Sequence, residues 1–302
     1  MIYDVVIVGG GPSGLSAAIY SSRARLKTLL IEKNGCGGQM TVTDLLENYP
    51  GFNDGINGVD LAVKLEYQAI NFGTEIVYDE VTEIKSGKVK EVVTTNSTYK
   101  AKAVIIAAGT RVKEMDIPGE AKFKGKGVSS CATCDAPFYK GKKVLVIGGG
   151  DSAIQEAIYL AKFAKEVTIL HRRNELRATK ILQERMLLYP NISVMHNTVP
   201  KEIVGKEHIE EVIVTDLRTN KDKSLKVDGA FVFIGLVPNT LFPTGVNLDE
   251  QGYIITDENM RTSVDGIFAC GDIRQKYLRQ VVTATSDGAQ AAVSAGRYID
   301  NL

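Results

Sequence analysis

The stretch VVIVGGGPSGLSAAIY, residues 5–20, joins an apolar run, a glycine-rich turn and a run with helical spacing. The apolar run predicts a buried parallel strand. Glycines at Gly9, Gly11 and Gly14 permit a tight turn and a close approach of the backbone to a pyrophosphate. The helix that follows directs unpaired N–H groups and the positive end of its dipole at the same place. The pattern therefore predicts a strand, turn and helix that bind a dinucleotide.

The same pattern recurs in the second half of the chain, as KKVLVIGGGDSAIQEAIY at 142–159. Each copy is followed at the same offset by a further apolar run, TLLIE at 28–32 and VTILH at 167–171. One such match is weak evidence, but two copies in one register favour two dinucleotide sites over a pair of purely structural turns. We therefore predict an α/β fold with two Rossmann-like, three-layer ββα nucleotide-binding domains.

The two copies differ at the end of the strand that follows the first helix. Glu32 ends this strand in the first copy, where a carboxylate accepts hydrogen bonds from ribose hydroxyls and repels a 2′-phosphate. His171 stands at the corresponding position of the second copy, with Arg172, Arg173 and Arg177 close behind. Guanidinium groups bind a phosphate through charge-assisted hydrogen bonds worth roughly 1.5–3 kcal/mol each. The first site is therefore predicted to take FAD or NAD and the second NADPH, the alternative being a basic solvated turn.

Each copy continues into a β-rich stretch, at 74–110 and at 192–238. Alternating residues with turns at Ser86-Gly87 and Thr219-Asn220 predict β-meanders. The closing runs, AVIIAAG and AFVFIG, are continuous and predict buried strands. The alanine-rich tail at 281–302 predicts a helix.

Length and charge exclude several classes of protein. The chain has 302 residues, which suggests two domains at roughly 100–200 residues each. Lys+Arg and Asp+Glu both number 36, so the sequence lacks the basic footprint of a nucleic-acid-binding protein. No apolar run approaches the ~18–20 residues that cross a bilayer. The first residues lack a basic start and include Asp4, unlike a secretory signal. We expect a cytoplasmic protein that binds neither nucleic acid nor membrane.

Cysteine usage points to redox chemistry at one place. Cys131 and Cys134 form a CxxC pair, whereas Cys36 and Cys270 lie far away in sequence and are expected to be buried small hydrophobic residues. A zinc site takes about four ligands, usually from a second pair, so we expect no metal. A structural disulfide would close too small a loop to stabilise the fold much. A thiol–disulfide couple remains, with Asp135 as either a proton carrier or a turn residue.

These motifs resemble the low-molecular-weight bacterial thioredoxin reductases over nearly the whole chain. The segment CATCD at 131–135 follows GKGVS and precedes the second glycine turn and HRRNELR. Other segments similar to that family's flavin-binding segments are GGQM (37–40), ENYPGF (47–52), TSVDGIFACGDI (262–273) and RQVVTATSDGAQAA (279–292).

The resemblance implies a domain organisation and a reaction. The FAD domain would comprise 1–113 and 244–302, with the NADPH domain, 114–243, inserted and carrying the CxxC pair. The family works as a homodimer, and its NADPH domain rotates so that the disulfide and the nicotinamide reach the flavin in turn. NADPH would reduce FAD, FAD the disulfide, and the resulting dithiol the disulfide of thioredoxin.

The resemblance also implies residue roles. Cys134 would contact the flavin, Cys131 would attack the thioredoxin disulfide and Asp135 would be the acid–base group, while Asp272 would bind the FAD ribitol. The residues expected at FAD are Gly9, Gly11, Pro12, Ser13, Gly14, Glu32, Gly38, Gln39, Asn48, Gly109, Gly271, Asp272, Arg279 and Gln280. Those expected at NADPH are Gly148, Gly150, Asp151, Ser152, Ala153, His171, Arg172, Arg173 and Arg177.

Departures from the family pattern are small. Asp151 and Ser152 stand where the family often has Asn and Thr, and Asp151 adds a negative charge that opposes a phosphate. Three alternatives stay open: a reductase of a peroxiredoxin or another thioredoxin-like protein, a ferredoxin- or flavin-fed reductase, and a non-catalytic NADP sensor. The intact arginines at 172, 173 and 177 argue against loss of NADPH use.

Overall fold

A computed structural model describes residues 1–240, 242 and 244–302. The strands in chain order are β1 (Ile2–Val8), β2 (Thr28–Glu32), β3 (Glu75–Tyr78), β4 (Val81–Lys85), β5 (Lys90–Thr94), β6 (Thr98–Ile106), β7 (Thr110–Val112), β8 (Val128–Ser129), β9 (Lys143–Gly148), β10 (Glu166–His171), β11 (Ile192–His196), β12 (Thr198–Gly205), β13 (Ile209–Asp216), β14 (Lys221–Lys226), β15 (Gly229–Phe233), β16 (Leu236–Pro238) and β17 (Ile267–Ala269). The helices are α1 (Pro12–Arg23), α2 (Gly58–Asn71), α3 (Glu120–Phe123), α4 (Ala132–Asp135), α5 (Asp151–Ala161), α6 (Lys180–Met186) and α7 (Val281–Asp300).

The chain forms two compact units, and the second is inserted into the first. Unit 1 comprises Met1–Arg111 and Val237–Leu302, and unit 2 comprises Val112–Leu236, so the chain passes between them within β7 and within β16. The prediction of an α/β fold with two Rossmann-like units, one inserted into the other, is confirmed. The predicted residue bounds and the nucleotide assigned to each unit stay predictions. Pro243, at the predicted boundary, lies outside the described residues.

Unit 1 is built on a mainly parallel sheet whose central strand is β1. This strand pairs in parallel with β2 on one side and β6 on the other, with Val6 opposite both Leu29 and Val104. The strand β6 changes its outer neighbour along its length, from antiparallel β5 to parallel β17. The carboxyl ends of β1, β2, β6 and β17 therefore meet at one edge, where ligands bind in such sheets.

Alternation along β1 fills the two faces of this sheet. Val5 and Ile7 enter a cluster with α1 and α7, whereas Val6 and Val8 enter a cluster on the opposite face. Gly288 lets α7 approach the first turn of α1, since a Cβ there would lie 2.0 Å from the Ser13 carbonyl oxygen. Helix α7 is thereby held against the turn that the sequence assigns to a nucleotide.

Unit 2 has the three layers that the sequence predicts. Its parallel sheet runs β11-β10-β9-β15-β8, and the antiparallel sheet β12-β13-β14 is separate from it. Val144 and Val146 of β9 pack with α5, while the alternating Leu145 and Ile147 pack with residues of the antiparallel sheet. Helix, parallel sheet and meander follow each other as layers because β9 is apolar on both faces.

The predicted meanders are largely confirmed, with one difference in each unit. Strands β4 and β5 flank the Ser86-Gly87 turn, and β13 and β14 flank the Thr219-Asn220 turn. The first strand of each β-rich stretch, β3 or β11, instead extends the parallel sheet beside β2 or β10. The helix predicted for the tail is confirmed as α7. Among the residues described, no helix combines the length and apolar character that crossing a bilayer requires.

Candidate active site

The turn between β1 and α1 in unit 1 has the geometry of a phosphate cradle. Gly9 has φ +107°, and a Cβ there would lie 2.4 Å from the Ala107 carbonyl oxygen. Gly11 is the N-cap of α1, Pro12 and the buried Ser13 begin the helix, and a Cβ at Gly11 would meet nothing within 4 Å. The backbone N–H groups of the first turn are thus open to an anion at Gly11.

Glu32 lies directly beneath this turn. Its Oε2 accepts a hydrogen bond from the Gly10 amide at 2.6 Å, and its Oε1 accepts one from the Asn34 amide at 3.1 Å. Gly14 brings α1 close to the turn, because a Cβ at Gly14 would lie 1.8 Å from the Gly9 carbonyl oxygen. The carboxylate is therefore fixed at the end of β2, where a ribose hydroxyl would lie.

Asp272 follows β17 at the same edge of the sheet. Its Oδ1 is buried and lacks a hydrogen-bond partner among the residues described. Burial raises the pKa of this carboxyl above its usual range, although Lys276 and Arg279 act in the opposite direction. Gly271 is held by its amide, which donates to Asp287 Oδ2 at 3.1 Å. A buried acceptor without a donor fits a ligand hydroxyl.

The other residues that the sequence predicts to contact the flavin also belong to unit 1. Gly38 approaches Gly11, since a Cβ at Gly38 would lie 3.1 Å from the Gly11 Cα. Gln39 Nε2 donates to the carbonyl oxygen and the hydroxyl of Thr110, at 2.6 and 2.7 Å. Asn48 Nδ2 donates to Gln280 Oε1 at 3.0 Å. Two segments far apart in sequence are thus joined at the start of α7.

Two further predicted residues complete this region. Gly109 has φ +62° and open space at its Cβ position. The Arg279 guanidinium lies 4.0 Å from the centroid of the Tyr253 ring, and its Nε donates to the Asp272 carbonyl oxygen at 3.5 Å. Arg279 is therefore tied to the segment that carries Asp272.

The turn between β9 and α5 repeats the cradle in unit 2. A Cβ at Gly148 would lie 2.4 Å from the Phe233 carbonyl oxygen, and one at Gly150, the N-cap of α5, would meet nothing within 4 Å. The exposed Ser152 and the buried Ala153 lie in the first turn of α5. The backbone of this turn therefore has the same construction as the turn between β1 and α1.

His171 stands at the position that corresponds to Glu32, but it places an imidazole ring beneath the turn and not a carboxylate. Its ring is buried beneath Gly149, where a Cβ would lie 2.2 Å from Nδ1, and Nε2 lies 2.9 Å from the Glu175 carbonyl oxygen. Burial lowers the pKa of His171, and the charges of Arg177 and Arg173 contribute in the same direction. The imidazole is therefore neutral at pH 7.

Arg172, Arg173 and Arg177 are all exposed around this histidine. The Arg177 amide donates to the Gly149 carbonyl oxygen at 2.7 Å, so the segment is fixed to the cradle through its backbone. The guanidinium groups are free to meet a ligand in solvent at the end of β10.

Asp151 has a structural contact that the sequence does not reveal. Its Oδ1 accepts a hydrogen bond from the Thr179 amide at 2.7 Å, just ahead of α6. Thr179 is the N-cap of α6 and its own side chain makes no capping hydrogen bond. Part of the acidic side chain is therefore occupied by a backbone donor.

Cys131 and Cys134 form a disulfide, with their Cα atoms 5.4 Å apart. Cys131 is the N-cap of α4, and its Sγ accepts from the Cys134 amide at 3.1 Å. Ser129 supports the turn from the preceding strand, because its hydroxyl accepts from the Cys131 amide at 3.0 Å. Cys134 is exposed and Cys131 is half-buried, so the sulfur pair is accessible for exchange.

Side chains around the disulfide divide into a buried and an exposed group. Asp135 ends α4 and is half-buried. Tyr139 is buried against Phe231, with ring centroids 5.2 Å apart. Phe138 is 73% exposed, which leaves an apolar side chain in solvent beside the disulfide. The turn therefore combines a reactive bond with an apolar contact surface.

The remaining cysteines are free. Cys270 is buried as predicted, but the prediction was wrong for Cys36, which is only half-buried because it lies near the sheet edge beside Glu32. Burial raises the pKa of both thiols to about 12. Neither thiol is ionised near neutral pH. In the part of the chain that the structure describes, no cluster of His, Cys, Asp and Glu could hold a metal ion.

Sequence reasoning missed three residues that support the site. Thr110 anchors Gln39, Asp287 holds the Gly271 amide, and Glu156 Oε2 accepts from the Ala132 amide at 3.2 Å. Asp287 and Glu156 belong to predicted helices, whereas Thr110 begins the short strand β7, which the pattern does not predict. The polar contact of each residue reaches a distant segment. Only an acidic residue inside the alanine-rich helix α7 gave a signal, since a buried Asp needs partners.

Comparisons with known proteins agree with this geometry. A sequence profile of the pyridine nucleotide-disulphide oxidoreductase family matches residues 3–288. The chain is 48% identical to the thioredoxin reductase of Treponema pallidum, over 99% of this chain and 98% of that protein. It is 47% identical to the thioredoxin reductase of Bacillus subtilis, over 100% and 96%. The crystal structure of Lactococcus lactis thioredoxin reductase matches with a TM-score of 0.96 and 43% identity, covering 99% of this chain and 100% of that one.

Proposed function

This chain belongs to the pyridine nucleotide-disulphide oxidoreductase family, and we propose that it is a thioredoxin reductase that uses NADPH, FAD and the Cys131–Cys134 disulfide. One observation carries the proposal: the accessible disulfide lies in the same unit as a nucleotide cradle flanked by three exposed arginines. The relatives that bear the name thioredoxin reductase match along their whole length. The other partners considered from the sequence have no comparable support.

FAD fits unit 1. The open space at Gly11 would receive the pyrophosphate, Glu32 a ribose hydroxyl, and the unpartnered Oδ1 of Asp272 a ribitol hydroxyl. Bound FAD would supply two-electron transfer between a reduced nicotinamide and a disulfide. The remaining residues that would hold it are Gly9, Pro12, Ser13, Gly14, Gly38, Gln39, Asn48, Gly109, Gly271, Arg279 and Gln280.

NADPH fits unit 2. Gly148, Gly150 and the first turn of α5, with Asp151, Ser152 and Ala153, would bind its pyrophosphate. The exposed Arg172, Arg173 and Arg177 would bind the 2′-phosphate through charge-assisted hydrogen bonds. His171 would act by packing beneath Gly149 and holding the arginines in place.

The two cysteines carry out the disulfide exchange. In the reduced enzyme, the Cys131 thiolate attacks one sulfur of the thioredoxin disulfide, forming a mixed disulfide and releasing the other sulfur as a thiolate. Cys134 then attacks Cys131 Sγ, which re-forms the Cys131–Cys134 bond and releases the second thioredoxin sulfur. Two electrons leave the enzyme in this sequence, and Asp135 exchanges protons with the sulfur atoms.

Phe138 would contact the protein substrate. It is 73% exposed in the single chain. Aromatic side chains that become buried in a complex are enriched at protein interfaces. Phe138 lies four residues after Cys134, in the 3-10 helix Ala136–Tyr139 that directly follows α4. A partner that approaches the disulfide would cover this ring.

The exposed face of α2 is apolar, which supports a homodimer. Val59, Val63, Tyr67 and Ile70 recur at helical spacing and are between 43% and 64% exposed. An apolar stripe of this kind on a soluble protein marks an interface, and a second copy is the partner that the resemblance implies. We place the protein in the cytoplasm, where thiols stay reduced and sparse cysteine usage is typical.

The test measures NADPH-driven reduction of thioredoxin by the Cys131→Ser variant. We expect the variant to keep its flavin and to reduce it with NADPH, but to reduce thioredoxin at a rate lower by about 1,000-fold or more, because one partner of the exchange is missing. Ser130→Ala, an exposed neighbour, should retain the wild-type rate. Native turnover by Cys131→Ser would refute the proposed mechanism.

A further inference from the structure

A carboxylate lies at the amino end of the short helix that carries the redox pair. Glu156, on α5, accepts a hydrogen bond at Oε2 from the Ala132 amide, with a distance of 3.2 Å. Ala132 is the first residue of α4, it is fully buried, and it lies between the two cysteines. The contact therefore joins the helix that follows the nucleotide cradle to the turn that forms the disulfide.

The amide groups of this turn are shared among three acceptors. Ser129 Oγ accepts from the Cys131 amide, Glu156 from the Ala132 amide and Cys131 Sγ from the Cys134 amide. Amide groups at the start of a helix are the donors that stabilise a cysteine thiolate and lower its pKa. Here one of them is engaged by a side chain that already carries a negative charge.

The charge of Glu156 acts differently on the two redox states. The disulfide is neutral, so the carboxylate meets no charge there. Reduction breaks the Sγ–Sγ bond with two electrons, and with one proton it leaves one thiol and one thiolate. The thiolate then belongs to the turn whose Ala132 amide is hydrogen-bonded to the carboxylate from α5, and like charges in a partly buried place repel each other.

We propose that Glu156 is a positioning residue that shifts the equilibrium of the Cys131–Cys134 pair toward the disulfide. By disfavouring the thiolate form, it makes the reduced enzyme a stronger reductant toward its protein substrate. Its hydrogen bond to the Ala132 amide also fixes the turn of the disulfide form. The inference rests on the proposed function, in which this disulfide carries the electrons.

Asp135 and Tyr139 are ionisable groups of the described residues that also lie close to the turn. Asp135 ends α4, and Tyr139 follows it, with a pKa raised by burial and then by the charge of Asp135. Asp135 is at the opposite end of α4 from the Ala132 amide. Glu156 is distinguished from Asp135 by its hydrogen bond to an amide that lies between the two cysteines.

The test equilibrates the holoenzyme with glutathione buffers of graded potential in the absence of oxygen. After acid quenching, the thiols at Cys131 and Cys134 are counted by labelling and mass spectrometry. Glu156→Gln keeps an oxygen acceptor but removes the charge, so the equilibrium should move toward the dithiol by about tenfold, which equals about 30 mV. Glu156→Ala should move it at least as far. Glu166→Gln, which removes the same charge from the start of β10 where it pairs with Lys143, should change it less than twofold.

A second measurement follows the reduced enzymes directly. Iodoacetamide should alkylate Cys131 faster in Glu156→Gln than in wild type at pH 7, because more of the thiol is ionised. A glutathione equilibrium within twofold of wild type for both Glu156 variants, or an equal shift in Glu166→Gln, would overturn the inference. Neither measurement uses NADPH or thioredoxin, so failure of the proposed function would leave this result standing, and the reverse also holds.

Discussion

The two cradles share a backbone and differ in the side chains around it. Gly9 and Gly148 each face a carbonyl oxygen of a neighbouring strand, both at 2.4 Å from the position of a Cβ. Gly11 and Gly150 each cap the following helix in an extended conformation, with open space beside them. The backbone alone therefore provides two similar anion sites, and it cannot decide which nucleotide binds where.

The differences lie at the third small residue and at the end of the second strand. A Cβ at Gly14 would lie 1.8 Å from the Gly9 carbonyl oxygen, whereas the corresponding Ala153 carries a Cβ. Glu32 offers oxygen acceptors beneath the first turn, whereas His171 fills the space beneath the second and leaves the arginines exposed. Under the proposed function, side chains at and just after the end of the second strand would select the ribose, while the glycine turns would bind the phosphates.

The largest effect is expected from Gly14→Ala, which gives the first cradle the methyl group that Ala153 has in the second. Gly14→Ala would place a Cβ 1.8 Å from the Gly9 carbonyl oxygen, so the turn must shift. We expect the purified protein to hold less than about a tenth of its flavin, because overpacking a rigid contact costs roughly 1–3 kcal/mol and deforms the cradle. The ratio of flavin to protein absorbance measures this. Ala153→Gly is the control and should keep its flavin; full occupancy in Gly14→Ala would contradict the close contact.

The next effect concerns the arginines of the second cradle. Replacing Arg172, Arg173 and Arg177 together with Ala should raise the KM for NADPH by about 100-fold, since two or more charge-assisted hydrogen bonds of roughly 1.5–3 kcal/mol each are lost. The KM for NADH should change less than about threefold. Arg218→Ala, which changes an exposed arginine in the turn between β13 and β14, should change neither. Equal losses for both nucleotides would show that the arginines do not read the 2′-phosphate.

A smaller effect is expected from Asp151→Asn. The carboxylate lies in the first turn of α5, and removing a charge near an exposed phosphate is worth up to about 1 kcal/mol at close range in water. The Asn oxygen can still accept from the Thr179 amide. The KM for NADPH should fall by about threefold, as measured in steady-state kinetics. A rise in KM would mean that the negative form of Asp151 is needed to hold α6 in place.

The smallest effect is a pH dependence of stability. Burial lowers the pKa of His171 below its usual 6.5, so just below pH 6.5 the residue is protonated in the unfolded chain but still neutral in the folded chain. The stability that the neutral ring provides is fully present above pH 6.5, and it is lost as the pH falls from 6.5 through the lower pKa of the folded state. Between pH 7 and pH 5, wild type should lose a few degrees more of Tm than His171→Gln does. Parallel Tm curves for the two proteins would argue against a buried neutral imidazole.

The sequence predicted the elements of both cradles because their physics is local. Glycine at fixed offsets, a strand before and a helix after specify the turn without distant contacts. Glu32 was singled out because it ends the second strand of the first copy, and the arginines because they follow His171, which ends the second strand of the other. Alternation also predicted the meanders, apart from β3 and β11, whose pairing with a parallel neighbour depends on the rest of the sheet.

The contacts that the sequence did not predict are non-local. Glu156 reaches Ala132, and Asp287 reaches Gly271, across helices whose relative placement no spacing rule gives. His171 aligned with Glu32, but its burial beneath Gly149 follows from the ring's size and not from its position in the chain. A side chain's direction is decided by packing, which a pattern of residue types does not contain.

The most direct test of the account counts thiols after reduction by NADPH. The holoenzyme is treated with NADPH without oxygen, quenched in acid, and labelled at its thiols for mass spectrometry. We predict two new thiols per chain, at Cys131 and Cys134, and none when NADPH is omitted, with both lost again when oxidised thioredoxin is added. A disulfide that stays intact while the flavin is reduced would contradict the claim that electrons from NADPH reach this sulfur pair.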